Sequence, residues 1–246
     1  MERILILGAT SAIAAEAVKI HARRGDRLHL VGRNSEKLAA LVAQLHSENV
    51  THASADFAQL ENNEQVIRDS IAALGTLDRV LIAHGVLGDQ LASERSFAEA
   101  EISLRTNFLS VVSLLIPLAN HLESARHGRI GVITSVAGDR GRPRNYTYGT
   151  AKGALNLYLQ GLRSRLYPAG IKITTLKVGP VDTPMTVSHQ KNALFGTPEN
   201  VAKAIVRAMD RGAGEVYVPR FWAAIMYVVR SAPEWLFQRL KAISGR

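Results

Sequence analysis

Short apolar runs alternate with amphipathic helical patterns along most of the chain. Strand-like runs cover residues 4–7, 28–31, 50–55, 79–85, 130–134, 171–178 and 215–218. Helical periodicity covers the intervening stretches at residues 15–24, 35–48, 62–74, 96–123, 148–167 and 198–211, with Ser35 as a cap and a kink at Pro117. Strands that alternate with helices form a parallel sheet covered on both faces. We therefore predict an α/β fold, a single-domain, doubly wound parallel sheet with helices on both faces.

The bulk properties narrow the class of protein further. The chain has 246 residues, of which 47% are hydrophobic, enough for one sizeable core. We expect one catalytic domain over residues 1–218 and an apolar, basic extension over residues 219–246. The chain contains no cysteine, which excludes disulfides and thiolate metal sites, and we predict no metal. Its first apolar run, residues 4–7, is too short for a signal peptide, so we expect a cytoplasmic location.

The formal net charge of +9 favours anionic partners. Lysines and arginines are scattered along the chain and are not interleaved with aromatic residues on one segment. We recognise no nucleic-acid-binding module, and we expect no nucleic-acid partner.

A strand, a tight turn and a helix open the chain. The turn comprises Gly8, Thr10, Ser11, Ala12 and Ile13. In a dinucleotide-binding fold, backbone amides at such a helix N-terminus face the pyrophosphate, and small residues allow it to come close. The alternative is an ordinary strand-to-helix turn.

Three residues after the second and third strands predict the choice of cofactor. Gly32 and Arg33 follow the second strand, where an acidic residue would accept hydrogen bonds from the adenosine ribose. Glycine followed by arginine favours the 2′-phosphate of NADP(H) over NAD(H). Asp56 is placed to accept from the adenine amino group. The alternatives are a solvated loop arginine and an aspartate that caps a turn.

A serine, a tyrosine and a lysine predict an active site. Ser135 ends the fifth strand, and Tyr148 and Lys152 share one face of the following helix. We expect the Lys152 ammonium to lower the pKa of the Tyr148 phenol and make it an acid or base near neutral pH. Asn107 lies inside a predicted helix, where asparagine is unfavourable, and a place beside a water near Lys152 would explain it. A solvated helix face is the alternative.

Turn residues after later strands would complete the cofactor site. Gly85 follows the fourth strand, and Pro180, Val181 and Thr183 follow the sixth, where the Thr183 hydroxyl is available to the nicotinamide carboxamide. Residues 185–196 lack periodicity, and we interpret them as a mobile lid over the substrate. His84 is interpreted as a loop histidine.

The arginines after Ser135 and the tail suggest a substrate class. We expect at least one of Arg140, Arg142 and Arg144 to border the substrate mouth and pair with a phosphate. The Trp222 and Trp235 segments are rich in apolar and basic residues, which suits peripheral contact with the inner face of a membrane. The alternative is solvated arginines and a tail packed on the core or on another subunit.

Over residues 1 to about 218, the chain resembles the classical short-chain dehydrogenase/reductase family. Separate motifs carry the resemblance: the turn after Gly8, then Asn107, Ser135, Tyr148-x-x-x-Lys152 and Gly179-Pro-x-x-Thr183. The resemblance implies a Rossmann-like fold, a homo-oligomer, and a catalytic tetrad of Asn107, Ser135, Tyr148 and Lys152. The chain departs from the family at Ala12 and Ala14, where glycine is usual, and at residues 82–85, where Asn-Asn-Ala-Gly is usual.

Within the family, residues 83–89, the arginine-rich loop and the tail are similar to those of bacterial decaprenylphosphoryl-keto-pentose reductases. The resemblance implies a lipid-linked sugar as substrate. We therefore expect an NADP(H)-dependent oxidoreductase that interconverts a carbonyl and a secondary alcohol on a small-molecule or lipid-linked substrate. The alternative is a catalytically silent dinucleotide sensor or a membrane-docked interaction protein.

Overall fold

A computed structural model describes residues 1–187 and 190–239. Seven parallel strands form one sheet in the order β3-β2-β1-β4-β5-β6-β7. The strands are β1 Arg3–Leu7, β2 Arg27–Gly32, β3 Val50–Ser54, β4 Arg79–Ile82, β5 Arg129–Ser135, β6 Lys172–Val178 and β7 Glu215–Val218. The doubly wound parallel sheet predicted from the sequence is confirmed.

Helices cover both faces of this sheet. They are α1 Ala12–Arg23, α2 Ser35–Leu45, α3 Asn63–Leu74, α4 Gln90–Ser93, α5 Phe97–Leu104, α6 Ser110–Ala125, α7 Tyr146–Leu166, α8 Pro198–Asp210, α9 Trp222–Ser231 and α10 Glu234–Arg239. A π-helical turn, Arg105–Leu109, joins α5 to α6.

The strand sequences explain why both faces are covered. In β1, Leu5 and Leu7 belong to the core beneath α3, α6 and α7, whereas Ile4 and Ile6 belong to the core beneath α1, α2 and α8. All four side chains are completely buried. A parallel strand buried on both sides needs a continuous apolar run, and β1 has one.

The single helix predicted over residues 96–123 is confirmed as one continuous helical stretch, Phe97–Ala125, although its α-helical geometry is interrupted, and the kink at Pro117 stays a prediction. Pro117 lies inside α6, and the interruption is the π-helical turn that contains Asn107. The Asn107 side chain donates to the Ser103 carbonyl at 2.9 Å, and the Ser110 hydroxyl donates to the Thr106 carbonyl at 2.7 Å. These side chains compete for carbonyls four residues back, which disturbs the α-helical ladder.

Two smaller predictions also differ from the structure. Asn34, not Ser35, caps α2, because its side chain accepts a 2.7 Å hydrogen bond from the Lys37 amide. The short helix α4 was not predicted, because its four residues are too few to show periodicity.

The tail packs on the catalytic domain as far as residue 239. Trp222, Met226 and Val229 of α9 and Phe237 of α10 are buried against Val136, which follows β5 directly. A packed helix pair, the alternative weighed from the sequence, is what the described part of the tail forms. The last residues of the predicted tail, 240–246, lie outside the described range.

By length and composition, one stretch among the described residues, Phe97–Ala125, is long and apolar enough to cross a membrane. Leu114, Leu118 and Leu122 of this stretch are completely buried against the sheet, whereas Phe97, Ile102 and Ile116 are exposed. The stretch is thus a helix that packs one side against the core.

Candidate active site

Ser135, Tyr148 and Lys152 come together at the carboxyl edge of the sheet. Ser135 is the last residue of β5, Tyr148 lies in the first turn of α7, and Lys152 follows one turn later. Ser135 lies close enough to the Tyr148 phenol to lower its pKa. The Lys152 ammonium lies 5.8 Å from the Tyr148 ring centroid and donates to the Ile133 carbonyl at 3.3 Å.

Two glycines allow α7 to come close to the turn that follows Ser135. A side chain at Gly149 would meet the Ala137 carbonyl oxygen at 2.8 Å, and one at Gly153 would meet the Gly138 carbonyl oxygen at 2.8 Å. Real Cβ atoms do not come this close to backbone, so α7 packs directly on the turn after Ser135 only because glycine stands at both positions. The sequence pattern Tyr-Gly-x-x-Lys-Gly thus lets the helix that carries the phenol pack against the turn that follows the serine.

Burial dominates the protonation of the pair. It raises the pKa of Tyr148 to about 12, opposed by the nearby Ser135 side chain, and it lowers the pKa of Lys152 to about 8. The expectation that Lys152 lowers the tyrosine pKa is therefore wrong for the protein alone. At neutral pH the phenol holds its proton and the lysine is mostly charged.

Asn107 supports the site from behind and does not line the cleft. Its side chain is completely buried, donating to the Val86 carbonyl at 2.8 Å and accepting from the Val86 amide at 3.1 Å. A side chain at Gly85 would lie 2.7 Å from Asn107 Oδ1 and 3.4 Å from Lys152 Nζ. Asn107 and Lys152 therefore meet at Gly85, as their predicted proximity requires.

A cleft of about 1570 Å³ runs along this edge of the sheet. Every residue predicted to contact the cofactor lines it, including the Gly8 turn, Arg33, Asp56, Gly85 and the residues after β6. Ser135, Tyr148 and Lys152 line it too. The sequence reasoning thus brought together residues from six separate segments.

The N-terminal turn fits a dinucleotide. Gly8 has φ of +81°, and a Cβ there would lie 2.6 Å from the His84 amide nitrogen, so only glycine is accommodated. Ser11 caps α1 by accepting from the Ala14 amide at 3.2 Å, and the first turn of α1 has no acidic residue. Ala12 and Ala14 lie within α1, where helical backbone suits alanine. Ala12 and Ala14, which replace the glycines usual in the family, are therefore compatible with the turn and the helix N-terminus that would face a dinucleotide.

The end of the cleft predicted to hold the adenosine, which is lined by residues after β2 and β3, is basic. Arg33 lies there together with Lys37, which the sequence reasoning missed. Lys37 could have been predicted from the sequence, because it follows the cap Asn34 in the first turn of α2, close to Arg33 along the chain. A Cβ at Gly32 would lie 3.5 Å from the Thr10 hydroxyl, which is an ordinary van der Waals contact, so the space alone does not exclude a side chain at this position. Asp56 also lines the cleft and accepts from the Ala58 amide at 3.1 Å, as a turn cap does.

The segment after β6 closes the other end. Thr183 caps the short turn Pro184–Thr186, and Val181 pairs with Gly196 in an isolated parallel bridge. The interpretation of residues 185–196 as a mobile lid stays a prediction, and residues 188–189 are outside the described range. Its described residues that line the cleft are Met185, Thr186, Gln190, Lys191, Asn192 and Phe195.

The three arginines predicted to border the substrate mouth lie in different places. Arg142 and Arg144 line the cleft, but Arg140 does not. Arg140 Nη1 donates to the Val229 carbonyl at 2.7 Å, Nη2 pairs with Glu234 at 2.8 Å, and the guanidinium lies 3.9 Å from the Phe237 ring centroid. The prediction of a substrate contact for Arg140 is wrong, because the tail supplies all of these partners.

His84 is a buried structural histidine on the cleft wall. Its Nε2 lies 2.8 Å from the Ser110 hydroxyl, and its ring centroid lies 4.7 Å from that of Phe57. Burial and then the neighbouring Lys152 lower the pKa of His84 to about 3. The ring is therefore neutral at physiological pH.

A parallel sheet with a glycine turn before α1 and a cleft along its carboxyl edge is the architecture of dinucleotide-binding α/β proteins. The short chain dehydrogenase family matches residues 2–194, and the chain belongs to this family. It is an oxidoreductase of that class. The Rossmann-like fold and the family predicted from the sequence are confirmed.

Individual relatives agree with this assignment. The chain is 32% identical over 239 residues to an uncharacterized oxidoreductase of Streptomyces coelicolor, covering 96% of this chain and 95% of the relative. It is 31% identical over 240 residues to an uncharacterized oxidoreductase of Mycobacterium tuberculosis, covering 96% of each.

Solved structures share the fold at lower identity. A short chain dehydrogenase from Burkholderia cenocepacia in complex with NADP superposes with a TM-score of 0.83, at 18% identity over 97% of both chains. An actinorhodin polyketide ketoreductase with NADPH gives a TM-score of 0.79 at 20% identity, covering 88% of this chain and 95% of that one.

Proposed function

We propose that this enzyme is an NADP(H)-dependent reductase that interconverts a carbonyl and a secondary alcohol. The observation that carries the proposal is the meeting of Ser135, Tyr148 and Lys152, which lies one helical turn after Tyr148, in a cleft that also contains the turn beside Gly8. Polar groups of this kind beside a dinucleotide site supply a proton donor and an orienting hydroxyl.

NADPH, when bound, supplies the hydride. The Tyr148 hydroxyl, protonated at neutral pH because burial raises its pKa to about 12, gives its proton to the carbonyl oxygen. Ser135 accepts from the Ala137 amide at 3.1 Å, which orients its hydroxyl beside Tyr148. Charged Lys152 holds the ribose and stabilises negative charge as it develops on the phenol oxygen. Asn107 keeps Gly85 and Lys152 in place.

NADP(H) is the favoured cofactor over NAD(H). Arg33 and Lys37 both line the adenosine end of the cleft, and two cations there suit a 2′-phosphate. The absence of an acidic side chain at Gly32 works in the same direction, since no carboxylate at this position would accept hydrogen bonds from a free ribose hydroxyl. Two of the solved structures with this fold are complexes with NADP or NADPH.

Binding and turnover separate the reductase from a silent dinucleotide sensor. NADPH fluorescence on mixing tests binding, and NADPH oxidation with sugar, steroid and acyl ketones tests turnover. The reductase requires both. Binding without oxidation of any ketone would favour the sensor, and absence of NADPH binding would contradict both functions.

The tail supports peripheral membrane contact and, with it, a lipid-linked substrate such as a polyprenylphosphoryl keto sugar. Phe221, Tyr227, Val228 and Trp235 expose apolar surface beside arginines, an arrangement that suits an anionic interface. Because Trp222 packs in the protein, point changes are a better test than truncation. Tyr227→Glu with Trp235→Glu should abolish co-sedimentation with anionic liposomes at low salt. Wild-type protein that stays in the supernatant would contradict membrane contact.

A homo-oligomer is supported by a different surface. Leu157 of α7 is 70% exposed beside Phe108 and Tyr158, which line a shallow groove. A second copy of the chain would bury this surface. Light scattering after gel filtration should show an assembly that Leu157→Glu dissociates, whereas a monomeric wild type would contradict the proposal.

A further inference from the structure

Arg142 is a cation without a carboxylate partner in the described part of the chain. Its Nη2 lies 3.2 Å from the Met226 sulfur, a weak acceptor, and its buried Nε has no hydrogen-bond partner. The nearest source of negative charge, Asp139, is already engaged by Lys177 at 2.7 Å and by the Tyr217 hydroxyl at 2.6 Å. Burial lowers the pKa of Arg142, an effect that Asp139 opposes only at a distance.

Two further residues that line the cleft have buried side-chain atoms without a partner among the described residues. The Trp222 indole N–H, in a side chain only 5% exposed, finds no acceptor where the ring packs on Gly179. The Asn145 side-chain oxygen is also buried without a partner. Both residues line the cleft with Arg142. Unpaired buried polar groups cost about 1–3 kcal/mol each, so three residues with such groups along one cleft call for a ligand.

The chemistry of the cluster selects the ligand. Arginine Nε and tryptophan Nε1 are donors only, and an amide can rotate to donate as well. The unpaired Asn145 atom is the carbonyl oxygen, an acceptor, so Asn145 would donate to a ligand only through its amide nitrogen. Donors beside one fixed positive charge match a group that only accepts hydrogen bonds and carries negative charge. A neutral hydroxyl would leave the charge of Arg142 unbalanced. Glu94 also lines the cleft, where its carboxylate accepts a 3.4 Å hydrogen bond from the Gln90 side-chain amide.

We infer that Arg142, Asn145 and Trp222 form a subsite for an oxyanion, a phosphate or a carboxylate, carried by the carbonyl substrate. The inference rests on the proposed reductase function and specifies which end of its substrate is charged. The tail thus contributes to substrate binding through Trp222, with Met226 holding the guanidinium from behind. Arg140, which the tail binds, takes no part in it.

Calorimetric titration of the NADPH-loaded protein tests the subsite, since bound NADPH blocks the cofactor's own phosphate sites. The probes are phenyl phosphate, benzoate and neutral benzyl alcohol. We expect one or both anions to bind at least about tenfold more tightly than the alcohol. Arg142→Gln should weaken anion binding by about tenfold or more, and Trp222→Phe by a smaller factor. Arg220→Gln, an exposed arginine outside the cleft, should change nothing.

Each outcome of this titration either supports or overturns the subsite. Preference for phenyl phosphate or for benzoate, lost in Arg142→Gln, supports the subsite and identifies the anion. Arg142→Lys retains the charge and should retain part of the affinity, and NADPH binding reports that each variant is folded. Equal binding of anions and alcohol, or anion binding unchanged by Arg142→Gln, would overturn the inference. Tyr148→Phe should bind the anions as wild type does, so loss of turnover there concerns the reductase proposal alone.

Discussion

Arg140 Nη1 donates a 2.7 Å hydrogen bond to the Val229 carbonyl and thereby ties the loop after Ser135 to the C-terminal tail. The same nitrogen donates to the Ala232 carbonyl, and the other terminal nitrogen pairs with Glu234. These carbonyls lie at the end of α9, where helical carbonyls lack partners within the helix. One guanidinium therefore closes α9 and holds the tail beside the active site.

Arg140→Gln should destabilise the fold. Glutamine cannot reach all of these acceptors or carry the charge, so we expect the free energy of unfolding to fall by about 1.5–3 kcal/mol. Urea denaturation followed by circular dichroism measures it. Arg220→Gln serves as the control and should lie within about 0.5 kcal/mol of wild type. Equal stabilities for the two variants would contradict the role given to Arg140.

We predict that His84 makes the free energy of unfolding fall in acid. Its pKa is about 3 when folded, against an ordinary 6.5, so the unfolded chain binds more protons between these values. The stabilisation is complete above about pH 6.5 and is lost as the pH falls toward the folded pKa. Between neutral pH and about pH 5, the loss amounts to about 2 kcal/mol.

The pKa values of two other buried histidines, His21 and His29, are also lowered, so they add to the loss of stability in acid. The test therefore compares the pH dependence of stability between wild type and a His84 variant. His84→Gln keeps a side-chain amide for Ser110 but does not titrate. Its free energy of unfolding should depend less steeply on pH than that of wild type, by about 2 kcal/mol over this interval. Parallel pH profiles for the two proteins would show that His84 does not carry the effect.

Arg33 should determine much of the preference for NADPH over NADH. A charge-assisted hydrogen bond to the 2′-phosphate is worth about 1.5–3 kcal/mol, or roughly 10- to 150-fold in Kd. Arg33→Ala should narrow the ratio of the two dissociation constants by about tenfold, with Lys37 retaining the rest. Arg23→Ala, on the exposed face of α1, is the control. Equal affinity of the wild type for both cofactors would refute the assignment.

The sheet was predictable because each strand carries its own information. Parallel strands buried on both faces read as continuous apolar runs, and Ile4 to Leu7 needs no distant partner to be recognised. The site followed from the same fact, because residues after strands of a parallel sheet meet at its carboxyl edge. Ser135, Arg33 and Thr183 are separated in sequence, yet all three line one cleft.

Features that depend on distant contacts were not predictable. Trp222 reads as an interfacial tryptophan by composition, but its ring packs on Gly179 and Val136. Arg140 and Arg142 are two residues apart in one loop, and only the position of the tail sends one to Val229 and the other to the cleft. The effect of Lys152 on Tyr148 was misjudged for a similar reason, because sequence spacing carries no information on burial.

The most direct test of the reductase proposal is hydride transfer in a single turnover by Tyr148→Phe. NADPH is preloaded and mixed with the ketone that the wild type reduces fastest, and loss of NADPH absorbance is followed. The variant keeps the ring but has no proton to give, so the rate should fall by about 10²–10⁴ while the Kd for NADPH stays within about twofold.

Tyr146→Phe is the matched control, because Tyr146 begins the same helix and its side chain is exposed. It should react at the wild-type rate. A Tyr148→Phe variant that transfers hydride as fast as Tyr146→Phe would contradict the assignment of Tyr148 as the proton donor.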